Sequence, residues 1–254
     1  MSQPVLTEFA DGIAVITINR PEARNAIDRA TAEGIAEAVD ELESRSDLSI
    51  GILTGAGGTF CAGMDLKAFV RGEAPMVAGR GFGGLTERPP TKPLVAAVEG
   101  WALAGGFELA LSADLIVASR AAKFGIPEVK RGLVAAGGGL LRLPKTLPYQ
   151  VAMQIALTGD PLTAEQAHGY GLVNALTEEG GALAGARELA ARIAVNAPLA
   201  VRATKQIVAG AIDWTAAEGF AAQTDYVREV MTSQDAQEGS RAFAEKRPPR
   251  WQGR

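Results

Sequence analysis

Glu108 and Glu128 are the residues in this sequence whose type and setting best suit proton transfer. Glu108 stands between Phe107 and Leu109 in the run Ala104-Gly-Gly-Phe-Glu-Leu109, and a carboxylate in such apolar text loses solvent and gains a raised pKa. A group of that kind serves as an acid or a base. It is equally at home as an exposed helix glutamate or as the partner of an arginine, and the spacing does not choose. Glu128 closes Phe124-Gly-Ile-Pro-Glu128, where Pro127 fixes the backbone ahead of the carboxylate.

Glycine surrounds these acids. The chain has 30 glycines, above the roughly 7% of average usage. They gather at Gly55-Ala-Gly-Gly-Thr-Phe-Cys-Ala-Gly63-Met64-Asp65, at Gly100 to Gly106 and at Gly137-Gly138-Gly139. Glycine lets backbone approach a ligand and leaves N–H groups free to donate, although its plainer role is to turn the chain. Gly105-Gly106 opens a short helix after a strand, and the unpaired N–H groups of a helix start favour a developing negative charge. That is oxyanion chemistry. The third cluster either brings donors to the same place or simply begins the next helix.

Several classes drop out. The pattern Gly-x4-Gly-Lys-Ser/Thr of a phosphate loop is absent, and the second cluster does not give Gly-x-Gly-x-x-Gly, so nucleotide triphosphates and dinucleotides lose support. One histidine, His168, and one cysteine, Cys61, leave no set for structural zinc. Cys61 has no evident histidine partner and reads as a small buried residue, while His168 reads as a helix surface or packing residue. With 25 Lys+Arg against 29 Asp+Glu the formal charge is −4. No basic stripe marks a nucleic-acid partner. The longest uncharged apolar runs, such as Gly132 to Leu141, fall short of the roughly 18 residues of a membrane span. The acidic start MSQPVLTEFADG and the single cysteine lead to the expectation of a cytoplasmic protein.

The positioning elements follow from periodicity. Val5 to Phe9 and Ile13 to Ile18 flank Asp11-Gly12 as a hairpin, Thr31 to Ser44 carries Ile35, Val39 and Leu42 at helical spacing, and Ile50 to Leu53 is a buried strand. A short helix is expected over Asp65 to Val70. Leu94 to Val98, Gly105 to Ser112 and Leu115 to Ala118 repeat the strand–helix–strand order, which predicts an α/β fold with a mostly parallel sheet. Arg71 to Pro90, rich in Gly, Pro and Arg, predicts a weakly ordered surface loop or lid. After Gly139 only Leu172 to Ala175 reads as strand. The rest is helical: Tyr149 to Leu157, Thr163 to Tyr170, Ala182 to Val195, Leu199 to Ala209, Trp214 to Met231 and Gln234 to Ala244.

Six segments in order resemble the crotonase superfamily, also called the enoyl-CoA hydratase/isomerase family. They are Asn19-Arg-Pro-Glu-Ala-Arg-Asn-Ala26, Phe60-Cys-Ala-Gly-Met-Asp65, Lys92-Pro-Leu-Val-Ala-Ala-Val-Glu-Gly100, Ala104 to Leu109, Phe124 to Glu128 and Ala242-Phe-Ala-Glu-Lys-Arg247. The resemblance implies a spiral of β-β-α units over residues 1–195 and a helical C-terminal region over 196–254 that helps form a homotrimer or a dimer of trimers. It also implies an acyl-CoA thioester substrate, whose coenzyme A is part of the substrate, with no separate cofactor and no metal.

By the same resemblance the backbone N–H groups of Met64 and Gly105 polarise the thioester carbonyl. Glu108 activates water for attack on C3 of a trans-2-enoyl-CoA, and Glu128 supplies the proton to C2. Coenzyme A contacts map to Ala23, Arg24, Ala26, Ala62, Asp65, Leu66, Phe243 and Lys246, the last two often reaching a neighbouring subunit. Arg24 and Lys246 suit phosphates. Trp101, Phe82 and Pro127 fall to the acyl side, although Trp101 and Phe82 also suit a core and Asp65 a helix cap. One departure stands out: where many hydratases carry Gly-x-x-Pro-Gly-x-Gly-Gly, this chain reads Gly132-Leu-Val-Ala-Ala-Gly-Gly-Gly139, with Ala135-Ala136 in place of Pro-Gly. The runs Phe107 to Leu111 and Leu141 to Lys145 resemble carnitinyl-CoA dehydratases. The leading expectation is therefore enoyl-CoA hydratase, with a carnitinyl-CoA (crotonobetainyl-CoA) dehydratase-type lyase or a noncatalytic acyl-CoA-binding protein as alternatives, and an isomerase disfavoured by the second glutamate.

Overall fold

A computed structural model describes residues 3–254. The chain opens as an antiparallel hairpin, Val5–Ala10 with Ile13–Ile18, closed by Asp11 and Gly12, both at positive φ as a two-residue hairpin turn requires. Ile13–Ile18 then begins a parallel run through Ile50–Gly55, Leu94–Val98, Leu115–Ser119 and Ala175–Thr177, which completes a six-stranded sheet. The parallel arrangement expected from the strand–helix alternation is present.

Each turn of the chain repeats one plan. A strand of the large sheet is followed by a second strand and then a helix: Leu94–Val98, Trp101–Leu103 and Gly105–Ala110; next Leu115–Ser119, Lys123–Gly125 and, after a 3-10 turn at Glu128–Arg131, Gly139–Thr146. The second strands pair with each other, Trp101–Leu103 with Lys123–Gly125 and the latter with Leu162–Thr163, and Cys61 bridges to Ala102 at the same edge. This is the β-β-α spiral.

Strand alternation sorts the core. Ile13, Val15, Ile50, Ile52, Val95 and Ala97 face one side of the large sheet, where Ala182, Ala186 and Ala190 of the helix Ala182–Ala194 form a stripe of small residues against them. Ile16, Ile18, Leu53, Ala96 and Val98 face the other side and join the main core with Phe60, Phe107 and Phe124. The functional segments lie on that second side. The helices Pro198–Ala211, Ala216–Met231 and Gln234–Ala244 follow. Lys205 donates to Asp114 at 2.7 Å and the Trp251 indole donates to Val195 O at 2.8 Å, tying this region back. Among the described residues no helix is long and apolar enough to cross a membrane.

Three expectations need correction. Arg71 to Pro90 is not a weakly ordered lid: Met76–Val77 pairs with Gly81–Phe82, Gly81 to Thr86 are buried, and Arg80 forms an ion pair with Asp40. Its glycines serve tight packing, a role that composition does not distinguish from mobility. The late strand forms at Ala175–Thr177 rather than Leu172 to Ala175, because Leu172 and Val173 are taken into the core. The helices expected from periodicity pass over Gly139–Thr146, which only the reading of the third glycine cluster as a helix start admits, since Pro144 inside it masks the pattern.

Candidate active site

Two loops converge at the mouth of a cavity of about 420 Å³ lined by Met64, Phe82, Gly105, Glu108, Pro127 and Glu128, with Ala62, Leu66 and Gly137 also contributing. The first loop is fixed by Asn25, which is fully buried. Its amide donates to Ala56 O and Thr59 O at 2.8 and 2.6 Å, and its Oδ1 accepts from Arg20 N. Ile27 N and Asp65 N then bond to Gly63 O and Ile27 O, so the chain passes Met64 in extended form. The second loop is held through Leu103 N to Cys61 O and Ala104 N to Gly125 O.

Close approach of these loops demands glycine at position 63. Its φ is +96°, and a Cβ there would lie 2.8 Å from Ala104 Cβ and 3.2 Å from Gly105 N. Ala104 itself takes φ 52°, an uncommon left-handed value for a non-glycine residue, and so turns the chain into Gly105–Ala110. Among the described residues, neither Met64 N–H nor Gly105 N–H has a backbone hydrogen-bond acceptor. Two unpaired donors at one cavity can hold an oxyanion.

Glu108 is only 3% exposed. Its Oε1 accepts from Gly139 N at 2.9 Å, and the Gly137 backbone also acts on the carboxylate. Burial raises its pKa, while these N–H groups and the Arg142 guanidinium pull it down against that rise. Gly137 is required by contact: a Cβ there would sit 2.6 Å from Glu108 Oε2. The third glycine cluster therefore does both things open to it, wrapping the carboxylate and starting the helix Gly139–Thr146.

Glu128 heads the 3-10 turn Glu128–Arg131. Its Oε2 is buried without a hydrogen-bond partner. Burial, reinforced by the Glu108 charge, raises its pKa to about 7. The two acids thus differ in a useful way: Glu108 is held by N–H donors of the glycine turn that favour the charged form, whereas for Glu128 its own backbone N–H and Arg131 do not offset burial.

The remaining candidates divide. Ala62, Leu66 and Pro127 line the cavity with the residues above. Asp65 caps the helix Leu66–Val70, accepting from Lys67 N and Ala68 N, and its other oxygen pairs with Arg20 at 2.9 Å, so its side chain is committed to the loop. Ala23, Arg24 and Ala26 form the adjoining turn: Arg24 O accepts from Ala62 N, and Ala26 O accepts from the Arg20 guanidinium. Trp101 is outside the cavity lining and lies exposed beneath the Lys123 ammonium. Phe243 and Lys246, at the far C-terminal helix, are also outside it, Phe243 being almost wholly exposed. Phe69, Met76, Arg131, Leu133 and Val134 line the cavity without having been singled out, and no periodic or motif signal marks them.

Cys61 is fully buried and burial pushes its thiol up to about 12, which leaves no thiolate nucleophile. His168 bonds through Nδ1 to Val173 O at 2.8 Å, a packing role.

Comparison with known proteins shows which family has this sequence and fold. The model of the family described as Enoyl-CoA hydratase/isomerase matches residues 8–254. A carnitinyl-CoA dehydratase of Proteus mirabilis is 42% identical, with 100% of each chain covered. An enoyl-CoA hydratase crystal structure from Mycobacterium tuberculosis is 60% identical with a TM-score of 0.98, and a carnitinyl-CoA hydratase structure from Mycobacterium avium is 42% identical with a TM-score of 0.81, each covering 100% of both chains.

Proposed function

Because the chain belongs to the enoyl-CoA hydratase/isomerase family and is a crotonase-type enzyme of the lyase class, we propose that it adds water across the 2,3 double bond of a trans-2-enoyl-CoA. The observation that carries this reading is the meeting of Glu108, Glu128 and the unpaired N–H groups of Met64 and Gly105 in one apolar cavity.

In this reading the thioester oxygen lies against Met64 N–H and Gly105 N–H. Charge moves onto that oxygen as a water oxygen bonds to C3, and each donor is worth about 2.7–4 kcal/mol in comparable sites. Glu108, whose charged form the Gly139 N–H favours against the effect of burial, takes the proton from the attacking water. Glu128, protonated below about 7, gives its proton to C2. General acid and base steps add roughly 10²–10⁴-fold each. A pure binding protein gains nothing from paired, partly desolvated acids beside an apolar pocket.

The Proteus mirabilis relative favours a second reading, the reverse elimination on a carnitine-like thioester. It uses the same acids in exchanged roles. Against it, the cavity lining includes the cationic Arg131, which repels a quaternary ammonium. Phe243 and Lys246 lie outside the cavity lining, and in this reading they meet coenzyme A held by a neighbouring subunit of a homotrimer. Loss of the conjugated enoyl-thioester absorbance with crotonyl-CoA and longer enoyl-CoAs, with products identified by mass, tests the assignment. Water addition abolished by Glu108→Gln or Glu128→Gln supports it; tight binding of every enoyl-CoA with no water addition refutes it.

A further inference from the structure

The reaction cavity has a single cation in its wall. Its lining side chains are apolar apart from Glu108, Glu128 and Arg131, and Arg131 ends the same 3-10 turn, Glu128–Arg131, that Glu128 begins. Lys130 N donates to Pro127 O at 3.0 Å and Leu133 N to Glu128 O at 3.1 Å, so the backbone that carries Arg131 is fixed relative to the acid. The two basic residues of the turn are used differently. The Lys130 ammonium pairs with Asp160 at 2.6 Å, outside the cavity lining. Arg131 has no such use: among the described residues it forms no ion pair, not even with Glu128, and its guanidinium makes no hydrogen bond.

A guanidinium presents a planar fork of donors and accepts nothing, which matches a carboxylate and repels a cation. A methyl chain end gains nothing from it. The phosphates of coenzyme A lie at the far end of the pantetheine arm from the thioester, whereas Arg131 stands three residues from the acid assigned to C2. The anion within its reach is therefore part of the acyl group, a few bonds past the reacting carbons. Such a partner also serves the acid: the Arg131 charge draws Glu128 toward its ionised form, and a bound carboxylate offsets that pull and keeps the proton on Glu128.

We propose that Arg131 is a specificity-determining residue that receives a carboxylate at the distal end of the acyl group, so that the preferred substrates are coenzyme A monothioesters of short enoyl diacids. The assignment rests on the acyl-thioester reading of the cavity. It sets this chain apart from an enzyme for plain fatty enoyl groups, which leave the guanidinium without a partner, and from one for trimethylammonium acyl groups, which it repels.

Two measurements on the full-length protein test it. The first is the ratio of kcat/KM for trans-2-hexenedioyl-CoA to that for trans-2-hexenoyl-CoA, which differ only in a terminal carboxylate; the second compares binding of the saturated hexanedioyl-CoA and hexanoyl-CoA by calorimetry, which needs no turnover. Arg131 is exposed, so its substitution leaves the fold in place. Wild type should prefer the diacid by about tenfold or more, the scale of a charge-assisted hydrogen bond, and Arg131→Gln should lose that preference in both measurements. Arg131→Lys, which keeps the charge without the fork, should fall between the two, and Lys130→Gln, which removes the neighbouring cation, should leave the ratio as in wild type. A wild-type ratio of one or less, a ratio unchanged in Arg131→Gln, an equal loss in Lys130→Gln, or an Arg131→Gln loss shared alike by diacid and monoacid, as for a contact with the coenzyme A phosphates, would overturn the proposal. If neither enoyl thioester gains water yet Arg131→Gln still abolishes the preference for hexanedioyl-CoA, the hydratase reading fails and the carboxylate site stands; if hexenoyl-CoA gains water with no preference tied to Arg131, the reverse holds.

Discussion

Gly139 donates its backbone N–H to Oε1 of Glu108 at 2.9 Å, joining the start of one helix to a carboxylate carried by another. The bond does more than satisfy a buried acid. It favours the ionised form of Glu108 and fixes the direction of its second oxygen, whereas Glu128, with Oε2 unpartnered, is left to take up a proton. In the proposed mechanism, a difference in hydrogen bonding of one backbone segment thereby separates the base from the acid.

The first prediction concerns the glycine that allows this. A methyl group at position 137 would lie 2.6 Å from Glu108 Oε2 and 3.2 Å from Phe82 Cβ. Gly137→Ala is expected to keep the fold but to lower kcat by about 10²-fold or more, the scale of losing a positioned general base. Circular dichroism and steady-state kinetics check it; kcat within threefold of wild type would mean the carboxylate is not held in its working position by this turn.

The pH dependence follows from the two acids. The proposed hydration needs Glu108 ionised and Glu128 protonated, so the rate should fall on the acidic side as Glu108 takes up a proton, at a pH above the ordinary carboxylate value, and on the alkaline side near pH 7 as Glu128 loses one. Stability should follow a related course. Both groups have pKa values raised in the folded state, so the folded protein holds more protons than the unfolded chain between about 4.5 and 7, and stability is lost as pH rises through that window. Glu128→Gln, which removes the buried charge, should melt higher than wild type at pH 8, with the difference closing at pH 5. A variant that melts lower at both pH values contradicts the account.

The proposed oxyanion donors are backbone groups, and that gives an asymmetric expectation. Met64→Ala keeps its N–H and should hold kcat within about tenfold of wild type. At Gly105 any Cβ would meet the Phe82 ring at 2.3 Å, so Gly105→Val should displace the donor and cost about 10²–10³ in kcat. Equal losses in the two variants, read by single-turnover kinetics, would remove Met64 N–H from the site.

How much of this was legible beforehand depended on the kind of signal. The hairpin, the parallel strands and most of the helices were visible because one buried face imposes a period on the side chains. Glu108 was visible because an acid in apolar text is conspicuous, and Glu128 chiefly through the family resemblance that pairs it with Glu108. The segment from Arg71 to Pro90 was misread because glycine looks the same whether it frees a chain or lets it pack, and here Phe82 is carried inward against Gly105 and Gly137. Trp101 drew notice as a large aromatic beside a glycine cluster, yet strand alternation turns it outward while Ala102 takes the inward place. The lining contributed by Phe69, Met76 and Leu133 depends on where three separate loops meet, which no local pattern encodes.

The first loop offers a stability test. Asn25 makes three hydrogen bonds to backbone while fully buried and holding a left-handed φ of 56°, a conformation asparagine tolerates better than most residues. Asn25→Ala leaves two carbonyls and one N–H without partners, at about 1–3 kcal/mol for each group left unsatisfied. The melting temperature should fall by several degrees, at about 2–4 °C per kcal/mol for a chain near this size. Coenzyme A affinity should weaken with it, since the neighbouring Ala23, Arg24 and Ala26 lose their frame. An unchanged melting temperature would show that the loop is held by other contacts.

Arg142 supplies the last prediction. Its guanidinium donates to Thr86 O and, at 3.5 Å, to Gly137 O, and among the described residues it has no carboxylate within ion-pair distance. Burial lowers its pKa, yet it remains charged, and its field reaches Glu108 across the Gly137–Gly139 turn. Glu108 faces Glu128 on the cavity side and Arg142 on the other, so the arginine offsets what burial does to the base. Arg142→Met should therefore raise the Glu108 pKa and move the acidic limb of the kcat/KM profile to higher pH, with the alkaline limb, set by Glu128 and its neighbour Arg131, displaced far less. Arg142→Lys keeps the charge and should restore much of the acidic limb even if it repairs the turn poorly. A uniform fall in rate with neither limb displaced would assign Arg142 to holding the turn alone.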